Sequence, residues 1–162
     1  MTLIGLGANL PSVAYGAPDA TLNAALRILA HSGVKILARS PWYESAPVPA
    51  SDQPNYVNGV ARLETSLDPA ALLALLHRVE AELGRVRGAV NAARPADLDL
   101  LDYEGLVSRP GEVPVLPHPR LHLRAFVVVP LAEIAPESLI PGRGSVAAWL
   151  PAVANQQIER LP

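Results

Sequence analysis

Asp97 and Asp99 stand two residues apart in the run Ala-Asp-Leu-Asp-Leu-Leu-Asp-Tyr that begins at Ala96. On an extended strand alternate side chains share a face, so both carboxylates would project together while Leu98 and Leu100 turn toward a core. Adjacent carboxylates repel unless a cation or several guanidinium groups neutralise them. A hard divalent ion, magnesium above all, held by a few carboxylates and phosphate oxygens, meets that need. A half-exposed strand with alternating Asp and Leu shows the same pattern, so the pair alone decides nothing. The neighbours weigh on it: Arg94 lies three residues upstream, and Arg85 and Arg87 open the preceding stretch. Those two also suit a solvated helix end, where the dipole favours positive charge.

His118 sits in Leu-Pro-His-Pro-Arg, held stiffly between prolines, with Arg120 and Arg124 following. It is either a packed turn histidine or a phosphate or metal-shell contact or a proton carrier. Phe126 is either core or a stacking platform. Trp42, Tyr43 and Tyr56 flank a proline-rich stretch, where they either pack it down or sandwich a flat heterocycle. His31, His77 and His122 show no metal-ligand spacing, and His31 and His122 read as surface residues. The Gly-Leu-Gly-Ala-Asn segment lacks the Gly-Lys-Ser/Thr ending of a phosphate-binding loop.

Elements to position these groups follow from periodicity. Residues 2–6 read as a buried first strand ending in a glycine-rich turn at Gly5, Gly7 and Asn9. Leu22, Ala25, Leu26 and Leu29 recur at helical spacing after Asp19, and Gly33 stops the pattern. Residues 34–39 and 56–63 alternate like strands, with a long proline-rich loop expected over 41–54. Asp68 and Pro69 start a helix that runs to Leu83. A second loop over 85–93 leads to a strand at 96–103, and a third, proline-rich loop carries Pro110 to Pro119. Residues 125–132 read as an apolar helix, and a last short helix begins near Ser145. The order strand, helix, strand, strand, helix, strand predicts an α+β, ferredoxin-like fold, an antiparallel sheet flanked by helices.

Length and composition agree with one domain over residues 1–162: half of the residues are hydrophobic and 17% charged. A net charge of -2 gives no pull toward nucleic acid or an anionic membrane. The absence of cysteine rules out disulfide, thiolate and cysteine–metal chemistry. No secretory leader pattern and no long apolar run are present, so a cytoplasmic protein is expected. With no heptad or long apolar edge, a monomer is expected.

Taken together, IGLGANL, SPWYESAPV, DQPNYVNGVARLET, ELGRVR, ARPADLDLLDYEG and LPHPRLHLRAFVVVPLAEIAPE resemble the 6-hydroxymethyl-7,8-dihydropterin pyrophosphokinase family, in family order over roughly residues 3–150. The resemblance implies transfer of the β,γ-pyrophosphoryl group of ATP to the pterin hydroxymethyl oxygen, with release of AMP. It implies that Asp97 and Asp99 hold two magnesium ions, and that Arg85, Arg87, Arg94, His118 and Arg124 contact ATP phosphates, Arg85 and Arg94 with a catalytic role. Glu80 falls where the family has an adenosine-side acid. Tyr56, Asn58, Phe126 and the backbone at Ser45, Ala46 and Val48 would hold the pterin. The chain departs from the family where an aromatic residue often precedes Arg94; here Val90, Asn91, Ala92 and Ala93 stand instead. A different Asp-x-Asp metal enzyme and a non-catalytic ferredoxin-like binding module are the rival classes.

Overall fold

The computed structural model describes residues 1–162 except Arg87 and Ala89. Strand β1 (Thr2–Ala8) buries Ile4, Leu6 and Ala8 on one side and turns Leu3, Gly5 and Gly7 to the other. Helices α1 (Pro18–His31) and α2 (Pro69–Glu82) cover the first side with Leu22, Ala25, Leu29, Leu72, Leu76 and Val79, each on the three-to-four spacing that gives a helix one apolar stripe. Helix α2 starts where expected: Pro69 occupies its first turn, and the Asp68 carboxylate accepts the Ala71 N–H at 2.8 Å.

Strands β2 (Lys35–Arg39) and β3 (Tyr43–Ser45) pair with opposite ends of one edge of β4 (Tyr56–Glu64), whose other edge holds β1. Strand β5 (Asp97–Tyr103) pairs with β1, and all of these pairings are antiparallel. The ferredoxin-like β-α-β-β-α-β order is therefore met, with the second strand of the unit split in two. Ser40 bridges the split. Its N–H donates to the Val60 carbonyl at 2.9 Å, and its hydroxyl accepts the Val60 N–H at 3.0 Å.

The second side of the sheet is covered only in part. Helix α3 (Ala125–Ile134) packs Ala125, Val128 and Leu131 onto Leu3, Val60 and Leu101. Beyond it come the short hairpin β6 (Leu139–Ile140) and β7 (Gly144–Ser145), the one-turn α4 (Leu150–Val153), and β8 (Ile158–Arg160), which pairs with β3. Among the described residues no helix is long and apolar enough to cross a membrane.

Three expectations need correction. The stretch 41–54 is not all loop: Pro41 and Pro47 flank β3 rather than interrupt it, and β8 supplies its second partner. Gly5 and Gly7 lie inside β1 rather than in a turn. His122 is buried, because the tight turn Leu121–Leu123 points Leu123 outward and lays the imidazole edge-on to Trp149, with ring centroids 4.6 Å apart.

Gly59 is the tightest of the glycines in β1 and β4. A Cβ there would lie 2.6 Å from the ring of Trp42, which the Arg39 guanidinium holds down from 4.7 Å. Gly59→Ala should therefore cost about 1–3 kcal/mol by overpacking. Urea unfolding checks this, and an unchanged midpoint would mean that Trp42 moves aside freely.

Candidate active site

Directly opposed residues on neighbouring antiparallel strands point to the same face. On the half-covered face, one transverse row runs Asp97, Gly7, Asn58 and Tyr43, and the next runs Asp99, Gly5 and Val60. A glycine therefore stands beside each carboxylate, so β1 places no side chain of its own on the floor between β5 and β4. The space at Gly7 is limited, since a Cβ there would lie 3.2 Å from Asn58 Oδ1.

Over this floor opens a cavity of about 500 Å³. Arg85, Arg94, Asp97, Asp99, His118 and Arg124 line it toward β5 and the start of α3. Ser45, Ala46, Val48, Tyr56, Asn58 and Phe126 complete the lining. Nearly all of the residues singled out by sequence thus come to one cavity. Glu80, buried beneath β5, is absent from the lining, as are Trp42 and Tyr43; Arg87 lies outside the described residues.

Glu80, which the resemblance put on the adenosine side, is buried and does not reach the cavity. It sits on the apolar stripe of α2, and its Oε1 accepts the Leu98 N–H at 2.7 Å and Arg85 Nη1 at 2.5 Å. Burial pushes this carboxyl up to about 7, against the Leu98 N–H and the Arg85 charge, which favour the ionised form. Arg85 in turn reaches Asp97 Oδ1 at 2.7 Å, and Arg94 reaches the same oxygen at 3.2 Å. Among the described residues Asp99 pairs only with Arg124, at 3.7 Å. Burial, then the neighbouring Asp97 charge, raise the Asp99 carboxyl to about 6, with Arg124, Arg85 and Arg94 opposing.

His118 is held by its N–H on the Leu101 carbonyl at 2.8 Å. Its Nδ1 accepts the Arg120 N–H at 3.2 Å, which leaves the proton of the neutral ring on Nε2 as a donor. Burial, then Arg124 and Arg120, lower its pKa to about 4. The Arg124 guanidinium lies 5.3 Å over the Phe126 ring, so the ring face at the mouth of α3 is shared between a cation and the cavity.

Asn58 donates from Nδ2 to Ser45 Oγ at 2.7 Å in a buried hydrogen bond across β4 and β3. Asn9, which the sequence offered only as a turn residue, proves equally placed. It is buried, its Oδ1 accepts the Arg94 N–H at 2.9 Å, and its Nδ2 donates to Gln53 Oε1 and the Pro54 carbonyl, both at 3.1 Å. Gln53 Nε2 donates onward to the Asn91 carbonyl at 2.7 Å. One asparagine thus pins the segment that carries Arg94 to the segment that precedes Tyr56. Its partners are 44 to 85 residues away along the chain, too far for any local pattern to signal.

The donor set suits a hard cation. Asp97 and Asp99 offer oxygen ligands only, and the weakly paired Asp99 keeps its carboxylate available. Among the described residues no group of three or more His, Cys, Asp or Glu could hold a metal ion. An ion held by the pair would thus draw its remaining ligands from phosphate or water, as magnesium does. Paired acids, fixed guanidinium groups and a neutral histidine donor over an open sheet face define an enzyme that handles phosphate esters.

Residues 3–136 match the family described as 7,8-dihydro-6-hydroxymethylpterin-pyrophosphokinase (HPPK). A relative from Haemophilus influenzae, named 2-amino-4-hydroxy-6-hydroxymethyldihydropteridine pyrophosphokinase, is 37% identical across 98% of this chain and 96% of its own. Relatives of the same name from Pseudomonas aeruginosa and Methylorubrum extorquens are 38% and 41% identical, each across 98% of this chain and 95% and 96% of their own lengths. The chain belongs to this family of ATP-dependent diphosphotransferases, which pass pyrophosphate to the hydroxymethyl group of a dihydropterin in folate biosynthesis.

The low pKa of His118 makes a prediction about acid stability. The folded state keeps this ring neutral down to about pH 4, whereas the unfolded chain takes up the proton near 6.5. Its contribution is fully present above 6.5 and is lost as pH falls toward 4. His118→Gln should therefore flatten the fall in melting temperature between pH 6.5 and 4, measured by circular dichroism. An equal slope in the variant would show that His118 does not carry this linkage.

Proposed function

We propose that this cavity carries out the family's transfer with the residues assigned as follows. Asp97 and Asp99 hold two magnesium ions, and Arg85, Arg94, His118 and Arg124 receive the phosphates of ATP. Arg87 belongs to the same phosphate set by sequence. Tyr56, Asn58, Phe126 and the chain at Ser45, Ala46 and Val48 hold the pterin. The observation that carries the reading is the single row Asp97–Gly7–Asn58, which sets an acid and an amide on one open floor with a glycine between them.

Magnesium, when bound, neutralises the triphosphate and polarises the transferred group. The protein's own part is positioning and charge. Arg85 is anchored from below by Glu80, so its guanidinium meets Asp97 already oriented. Arg94 is fixed through its backbone by Asn9, which keeps its charge near the same carboxylate. These groups need little rearrangement as negative charge moves toward the departing AMP. His118 adds a neutral donor from Nε2, so it adds a hydrogen bond without a further fixed charge. On the pterin side, the Asn58 amide is held by Ser45, and the Phe126 ring offers an aromatic face to a flat heterocycle. Holding both reactants on one rigid sheet converts their encounter into an oriented, local reaction.

Substrates of this kind are small molecules, and a monomeric, cytoplasmic enzyme belongs to the same proposal. The reading is tested by AMP release from ATP and magnesium, with and without 6-hydroxymethyl-7,8-dihydropterin. AMP formation should require the pterin. Asp97→Ala should lower it by about 1000-fold, equivalent to about 4 kcal/mol of transition-state stabilisation. A folded Asp97→Ala protein within tenfold of wild type would remove Asp97 from the metal role.

A further inference from the structure

Strand β8 (Ile158–Arg160) lies beyond the residues 3–136 that match the family, yet it extends the sheet on which the cavity stands. The row that begins at Asp97 and passes through Gly7, Asn58 and Tyr43 ends on Arg160, which is the register partner of Tyr43. Ser45 in turn pairs with Ile158, and Leu161 N–H donates to the Trp42 carbonyl at 2.9 Å.

A side-chain link ties the same elements together. The buried Tyr43 donates its hydroxyl to Glu133 Oε2 on α3, and Arg160 Nη1 meets Glu133 Oε1 at 2.9 Å. Burial and the Glu133 carboxylate raise the phenol to about 12, so it remains a proton donor at neutral pH. Arg160 is largely exposed, and its ion pair alone adds little. The Tyr43 bond and the strand pairing carry the link.

Strand β3 has only three residues, and strands this short hold their place mainly through their partners. Immediately after it the chain lines the cavity with Ala46, Pro47 and Val48. Its last residue, Ser45, fixes the amide of Asn58. The core under α1 and α2 contains no buried residue of β3 or β8, and Trp42, next to β3, packs against it from outside.

We propose that Tyr43, Glu133 and Arg160 are positioning residues through which β8 sets β3, and thereby sets the affinity of the heterocycle side of the site without changing phosphate transfer. This inference rests on the reading of Ser45 and Asn58 as pterin contacts.

The test compares Tyr43→Phe, Glu133→Gln and Asn58→Ala in steady-state kinetics with ATP, magnesium and 6-hydroxymethyl-7,8-dihydropterin. Loss of this part-buried hydrogen bond should raise the pterin KM of Tyr43→Phe by about tenfold, with kcat and the ATP KM within about twofold. Glu133→Gln keeps a carbonyl acceptor for the phenol and should return the pterin KM to within about threefold of wild type. Arg160→Ala, at an exposed position, should act in the same direction as Tyr43→Phe but more weakly.

An unchanged pterin KM in Tyr43→Phe beside a raised one in Asn58→Ala overturns the inference and leaves the pterin site standing. An unchanged pterin KM in Asn58→Ala overturns both. A Tyr43→Phe variant with a lowered melting temperature and parallel changes in kcat and both KM values shows a structural role only, which also overturns the inference.

Discussion

Two carboxylates on one face of a half-buried strand repel each other, and much of the surrounding structure answers that repulsion. Among the described residues three guanidinium groups approach the pair, and each is delivered by a different element. Arg85 follows α2 and is held from beneath by Glu80, Arg94 is pinned through its backbone by Asn9, and Arg124 stands at the N-terminal end of α3. The arrangement is lopsided. Asp97 receives two guanidinium groups at 2.7 and 3.2 Å, whereas Asp99 has one at 3.7 Å. Asp99 therefore keeps a carboxylate that its one long ion pair leaves accessible, beside cations that suit a phosphate chain. That imbalance fits a site completed by a metal and a polyanion together.

The other constraint is room. A sheet covered on both faces by helices has no place for two substrates, and here α3 covers only the Val60 and Tyr43 ends of the rows that begin at Asp99 and Asp97. Gly5 and Gly7 keep the opened face level, while Ile4, Leu6 and Ala8 between and beside them keep the opposite face apolar. Alternation along one seven-residue strand thus assigns one side to folding and the other to chemistry.

The parts legible in sequence were those that depend on local period. The spacing of Asp97 and Asp99, the stripe of α2 and the Asp68–Pro69 helix start all appear in the structure as their patterns suggested. The resemblance brought Glu80 to notice, but α2's own periodicity gives its location. Glu80 falls four residues after Leu76 and three before Leu83, both fully buried, and so belongs to the inward stripe. His122 misled because a single tight turn has no period to read. Asn9 and the pairing of β8 with β3 were illegible for a different reason: both depend on partners brought together only by the completed fold.

The split between β2 and β3 has a further consequence, for how the molecule meets its neighbours in solution. An unbroken edge strand would present a long ladder of free amides and carbonyls on which another chain could extend the sheet. Here that edge is cut at Ser40, and its outer reaches are short and studded with exposed charge, Lys35 and Arg39 on β2 and Glu159 and Arg160 on β8. Interruption and charge of this kind discourage strand-by-strand accretion, so the bend at Ser40 works against aggregation as well as shaping the sheet.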